Sequence, residues 1–219
     1  MAGIVSITVS IVYDNFHTQF IKPFFHLFLY LYFVSSSKKW NITVLLFLIA
    51  AMIGEFLTAR NFVANYVYIV LLFATYFLIG LFLMKSAIKD SKFRIQLTDI
   101  YVGLIILIAF TYVVGSIFFI TAEELGDFLF LLVATAAFSG FVGGCFYIAA
   151  YHSNPNKILF FVVGIGYMIV CVGTLVHELV MPSVFIQGFV NLVEVISQVA
   201  FIYALIKLPE MLRPKKWHI

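Results

Sequence analysis

Residues 44–60 read VLLFLIAAMIGEFLTAR, an apolar run that admits one carboxylate, Glu55, shortly before it ends at Arg60. With its flanks it covers 41–59, close to the roughly 20 residues a helix needs to cross a bilayer. A charged side chain left unpaired at the bilayer centre costs about 2.5–3.5 kcal/mol on insertion scales. The stretch therefore reads as a membrane-crossing helix whose glutamate must face other helices or a cavity.

The rest of the chain repeats the pattern. Its 219 residues are 64% hydrophobic and 11% charged, with a mean hydropathy of +1.12. Soluble domains sit nearer 45–50% apolar and about 25% charged. Besides 41–59, the segments 19–36, 63–84, 98–120, 127–151, 158–180 and 184–206 qualify as spans. Residues 2–13 form a shorter apolar segment whose crossing the sequence leaves open. The expected fold is all-α: a polytopic transmembrane helix bundle of seven full spans plus the short N-terminal segment. It forms one integral membrane domain over 1–219, with a basic tail at 207–219. No removable signal peptide is expected, because a basic n-region and a small-residue cleavage site are missing.

Eleven of the 13 Lys and Arg residues fall in alternate connections: Lys38, Lys39, Lys85, Lys89, Lys92, Arg94, Lys157, Lys207, Arg213, Lys215 and Lys216. The positive-inside rule places these connections and the C-terminus in the cytoplasm. Only Lys22 and Arg60 lie on the other side, where the loop 121–126 is acidic. On this topology the sequon Asn41-Ile42-Thr43 faces inward, away from glycosylation. Trp40 and Trp217 suit the inner interface, and the tail LRPKKW suits anionic headgroups. A charge of +3 spread over loops gives no nucleic-acid surface. Membrane lipids are the expected environment, in a cytoplasmic or inner membrane; oligomeric state stays open. Cys145 and Cys171 sit inside apolar segments as packing residues, with no disulfide framework. Ala136, Gly140 and Gly144 make a small-xxx-small seam for a neighbouring helix.

Ionisable and amide residues inside spans are functional candidates, and their spacing groups them. In the last span Gln187, Asn191, Glu194 and Gln198 fall within about 60° of arc at 100° per residue. The preceding span offers a matching face of Tyr167, Cys171, Thr174, His177 and Glu178. Lys22-Pro23 opens the span 19–36, with His26 and Tyr30 following at helical spacing. Proline is tolerated in a first turn, where its missing N–H costs nothing. Asn65, Tyr68, Thr75 and Tyr76 are expected on one side of the span 63–84. Most of these residues share the outer half of the membrane, which points to an outward-facing polar pocket. Interhelical hydrogen bonding, at about 1 kcal/mol each, is the alternative use of the same residues.

Several chemistries fail on spacing. His177-Glu178-Leu179-Val180-Met181 lacks the second histidine of a zincin helix. Only His26 and His177 of the five histidines lie well inside spans, too few for an intramembrane zinc hydrolase. Gly164-Ile165-Gly166 sits within a span without a third glycine. No GxSxG elbow occurs. No cofactor is implied.

Three pieces taken together, FIKPFFHLFLYLYF (20–33), IGEFL (53–57) and ISQVAFIYAL (196–205), resemble the YhhN family of lysoplasmalogenase-like membrane proteins. The resemblance implies an eight-helix arrangement and hydrolysis of the vinyl-ether bond of a lysophospholipid, releasing a fatty aldehyde. Lys22-Pro23 matches the family's Lys-Pro, and Gly54-Glu55 stands where the family has Gly-Asp. Tyr76 suits the tyrosine of its fourth helix, with Phe73 in the place of a histidine. The family's Ser-Asp falls near Gly173-Thr174, with Glu178 the nearest acid one turn on. Gln198 matches a glutamine of the last helix.

Vinyl-ether cleavage needs a proton on the alkene carbon and a water on the resulting oxocarbenium ion, work that two carboxyl groups share. Glu55 and Glu194 are the catalytic candidates, with Glu178 or His177 assisting. Lys22, His26, Asn65, Tyr76, Asn191 and Gln198 are the substrate-binding candidates, Lys22 for a negative charge such as phosphate. Two other classes stay open: a non-catalytic lipid- or partner-binding membrane protein, and a small proton-coupled transporter or sensor unit.

Overall fold

The computed structural model describes residues 15–91 and 128–212, together with 108, 112, 115 and 116. Every long element among them is helical: α1 Asn15–Ser37, α2 Ile42–Asn61, α3 Tyr66–Asp90, α4 Phe128–Tyr151, α5 Ile158–Leu175 and α6 Val184–Met211. A 3-10 turn, Pro155–Lys157, leads into α5, and a π-helical turn, Val176–Val180, follows it. Helices α2 to α6 are long and apolar enough to cross a membrane, while Phe24–Ser37 of α1 is a shorter apolar helix. This fits an integral membrane protein. The segment 2–13, the loop 121–126, the tail beyond Leu212 and nearly all of the expected span 98–120 lie outside the described residues.

The helices pack in chain order as a ring, α1 on α2, α2 on α3, α3 on α4, α4 on α5 and α5 on α6, with α6 closing on α1. Large apolar side chains such as Leu46, Ile53, Phe56, Phe82, Leu132 and Phe161 are exposed on the outside, as lipid contact requires. The inward face of α2 shows why. Val44, Phe47, Leu48, Ala51, Gly54 and Glu55 are buried at i, i+3, i+4, i+7, i+10 and i+11, one stripe of an α-helix. Glu55 is thus carried inward by the same period as the core apolar residues.

Small residues let the ring close tightly. A Cβ added at Gly166 of α5 would overlap Ser197 of α6, and one at Gly173 would overlap Val190. On α4, a Cβ at Gly144 would stand 3.0 Å from Leu81 and 3.3 Å from Ile88, both on α3. Of the expected seam, Gly140 and Gly144 face α3, whereas Ala136 is exposed. Below mid-height an aromatic core fills the ring: Phe47 stacks on Tyr76 at 4.0 Å between centroids, and Phe141 meets Tyr167 and Phe201 edge-on.

Neighbouring helices are antiparallel except α3 with α4 and, where the ring closes, α6 with α1, which run the same way. The last turns of α3 and α4 meet, since His152 Nε2 lies 3.3 Å from Asp90 Oδ2 and Tyr147 donates to the Ser91 carbonyl. Local chemistry fixes several ends. Asn41, the sequon asparagine, caps α2, its Oδ1 accepting from the Thr43 and Val44 amides. The π turn ends with the Met181 amide donating to the Val176 carbonyl, five residues back.

Four boundaries differ from the sequence expectation. Helix α1 begins at Asn15, so Lys22-Pro23 lies well inside it rather than in its first turn. Helix α3 runs to Asp90, placing Lys85 and Lys89 on the helix instead of in a connection. Helix α6 continues through Lys207 and Pro209 to Met211, so the tail starts later than 207. There Lys207 pairs with Glu210 at 3.0 Å across one turn, an exposed contact that continues the helix beyond its apolar length. The span 158–180 ends as the π turn rather than as α-helix.

Candidate active site in the helix ring

Helices α2 to α6 surround a cavity of about 220 Å³ between mid-height and the end of the ring that carries the α2–α3 and α5–α6 connections. From Gln187 at its mouth to Gln198 at its floor, α6 rises about 16 Å. The walls differ in character. Helices α3 and α4 contribute mainly apolar groups, among them Val70, Phe73, Phe77, Leu131 and Phe138. Helices α2, α5 and α6 contribute Glu55, Thr58, Thr174, Asn191, Glu194 and Gln198. His177 and Glu178 reach the mouth from the π turn. Single π turns inside α-helices recur at functional sites because they re-aim side chains. No lysine or arginine lines the cavity among the described residues.

The floor is a set of joined polar groups. Gln198 Nε2 donates to Glu55 Oε1 at 3.3 Å and to Glu194 Oε1 at 3.4 Å, joining carboxyl groups from two helices. Glu55, Glu194 and Gln198 are all buried. His26 Nε2 of α1 lies 3.2 Å from Glu55 Oε1 on the side away from the cavity lining, with both side chains almost wholly buried. Beside them Tyr76 and Tyr167 share a short hydrogen bond between their hydroxyls.

At the mouth, the Ser183 amide donates to His177 Nδ1 at 3.0 Å. This ties the π turn to the first residues of α6 and, in the neutral ring, puts the imidazole proton on Nε2. Glu178 is partly buried beside it.

Seven sequence candidates therefore line one cavity: Glu55, Glu194, Glu178, His177, Tyr76, Asn191 and Gln198. Of the other three, His26 and Asn65 do not. His26 contacts Glu55 from behind instead of lining the wall. Asn65 belongs to the α2–α3 turn, its Nδ2 donating to the Asn61 carbonyl. Tyr68 and Thr75 are exposed as well, because the inward face of α3 is Tyr66, Ile69, Val70, Phe73, Tyr76 and Phe77. Apolar burial, not the distribution of polar groups, turned that helix. The side chain of Lys22 lies outside the described residues. Tyr167 was visible only as one member of a face, and its phenol pairing with Tyr76 has no signature in spacing. Among the described residues, no three His, Cys, Asp or Glu side chains gather as a metal site.

No family model, no curated protein and no solved structure matches this chain.

Proposed function

We propose that this chain is a lysoplasmalogenase-type membrane hydrolase that takes a single-chain ether lipid into the cavity between α2 and α6. The observation that carries the reading is the joining of Glu55 and Glu194 through Gln198 at the floor of a cavity with one apolar wall. One carboxyl group gives its proton to the alkene carbon of the vinyl ether, leaving an oxocarbenium ion. Water adds to that ion and passes a proton to the other carboxylate. The hemiacetal then breaks at its C–O bond to give an aldehyde and a free glycerol hydroxyl. The apolar side chains of α3 and α4 hold the alkyl chain, and His177 and Glu178 meet the headgroup at the mouth.

The arrangement belongs to a bundle with its C-terminus in the cytoplasm. Helices α1 to α6 end so that Lys38, Lys39, Lys157 and Lys207 share one end of the ring and Arg60 the other. Because α3 and α4 run in parallel, Ser91 and Phe128 stand at opposite ends of the ring, as the expected span 98–120 requires. That supports seven spans plus the short N-terminal segment, in the eight-helix YhhN arrangement.

Purified protein given lyso-vinyl-ether phospholipid should release fatty aldehyde. Glu55→Gln and Glu194→Gln should each lower the rate about 10²–10⁴-fold, the scale of a lost general acid or base. Wild-type rates in both variants would sink the assignment. A second reading, an amphiphile-binding protein without turnover, is favoured by Phe73 and Thr174. They line the cavity where the resembled family carries a histidine and, nearby, an aspartate. A lipid that co-purifies without aldehyde release selects that reading.

A further inference from the structure

We propose that the α5–α6 wall of the cavity binds an uncharged polyol headgroup, a glycerol on a single alkyl chain being the smallest, through Asn191, Thr174 and, nearer the mouth, Gln187. The proposal rests on the cavity taking a single-chain lipid, as above, and names the class of its headgroup.

Asn191 is 7% exposed, shares the inward stripe of α6 with Glu194 and Gln198, and lines the cavity. Its amide makes no hydrogen bond to any described residue. Gln198 Oε1 is sealed within the protein, but neither amide atom of Asn191 is, and the opening they keep is the cavity. Thr174 stands at the same height on α5, because Gly173 packs against Val190. A hydroxyl in a helix often donates to the carbonyl four residues back, as those of Thr58, Thr75, Ser91 and Ser197 do here. Thr174 makes no such bond among the described residues, and its hydroxyl is not sealed off. Gln187 also lines the cavity without a hydrogen-bond partner among the described residues, one turn or about 6 Å nearer the mouth.

The chemistry of the headgroup follows from these three groups. Each is uncharged, and each both donates and accepts, which is also the character of a hydroxyl. A polyol brings several hydroxyls within a short span and meets both rungs. A phosphate is normally held by arginine, lysine or backbone N–H groups. Here no lysine or arginine lines the cavity among the described residues, while Glu55 and Glu194 stand below Asn191 and Glu178 stands above it. A phosphate drawn in between them would be a buried charge without a counter-charge. The apolar side of the cavity, from Val70 to Phe138, takes the alkyl chain of the same molecule. Asn191 lies one turn, about 4.5 Å, above Glu194, so a glycerol held there turns its ether carbon toward the two floor carboxyl groups.

The test is binding rather than turnover. Wild-type protein in phosphatidylcholine nanodiscs is titrated with 1-O-hexadecylglycerol, its 3-phosphocholine ester and hexadecylamine, and bound ligand is counted by native mass spectrometry. Hexadecylglycerol should bind about tenfold or more tightly than either of the others. The double variant Asn191→Leu/Thr174→Val should lose about tenfold of that affinity, the worth of one or two buried hydrogen bonds. Should the double variant not fold, Thr174→Val alone, nearly the same shape, should lose about threefold. Equal or tighter binding of the phosphocholine or the amine overturns the proposal. So does unchanged hexadecylglycerol affinity in the folded variant, and so does a cavity that binds none of the three. Aldehyde release from a lyso-vinyl-ether phosphocholine, with no preference for the glycerol in binding, keeps the hydrolase reading and removes the headgroup. Glycerol-selective binding without aldehyde release from the matching alkenylglycerol does the reverse.

Discussion

Two histidine–carboxylate pairs stand in this molecule at nearly the same distance and do different things. His152 lies 3.3 Å from Asp90 at the C-terminal end of the ring, where the aspartate is 53% exposed. His26 lies 3.2 Å from Glu55 inside the ring, with exposures of 1% and 6%. Although His152 is itself buried, solvent at the aspartate screens the first pair, and pairs open to solvent contribute about 0–1 kcal/mol. The second has no solvent to replace a lost partner, and breaking a buried pair costs about 3–5 kcal/mol. The first holds the last turns of α3 and α4 together. The second secures a carboxyl group at the edge of a cavity. Burial, rather than the residues paired, separates a latch from a site.

The largest effect should come from His26→Ala, which leaves Glu55 without its α1 contact and should lower unfolding free energy in detergent by about 3–5 kcal/mol. A loss within about 1 kcal/mol would make the two pairs equivalent and end the comparison. The same contrast between interior and surface extends to small residues. Gly166→Val drives a branched side chain into Ser197 and should cost about 1–3 kcal/mol in thermal unfolding, as overpacked interiors do. Gly143→Val is its control, because a Cβ there meets nothing within 4 Å. Equal melting of the two variants would show that the α5–α6 seam is not tightly closed. Asp90→Asn should change stability by less than about 1 kcal/mol. Smaller still, and of opposite sign, is Lys38→Gly. Lys38 holds φ of 54° in the α1–α2 turn, where an L side chain is strained, so glycine should gain up to about 1 kcal/mol in the same unfolding assay.

Much of the cavity was legible because helical period is a property of the sequence. The stripe from Gln187 to Gln198 and the face from Tyr167 to Glu178 both turn inward, and they meet. Glu55 turns inward for the same reason, sharing a stripe with Val44, Phe47 and Leu48. Where polar and apolar periods disagreed, the apolar one won. On α3 the weight of Ile69, Val70, Phe73 and Phe77 turned Asn65, Tyr68 and Thr75 away from the cavity. Helix ends were less legible, since α3 and α6 run past their apolar runs on charged, helix-favouring residues, and the π turn at 176–180 has no composition of its own.

By itself the sequence determined that the chain is an apolar helical bundle, which faces of its last two helices are polar, and that Glu55 needs partners from elsewhere. One of those partners is His26, four residues after Lys22, and another is Gln198 of the last helix's polar stripe. Only the ring order of the helices decided that His26 of α1 and Gln198 of α6 meet the same carboxyl group, and that Tyr76 meets Tyr167. Spacing along a chain fixes the angle at which a side chain leaves its helix. Which helix stands opposite, and at what height, is set by packing among residues distant in the chain, 91 positions for Tyr76 and Tyr167 and 143 for Glu55 and Gln198.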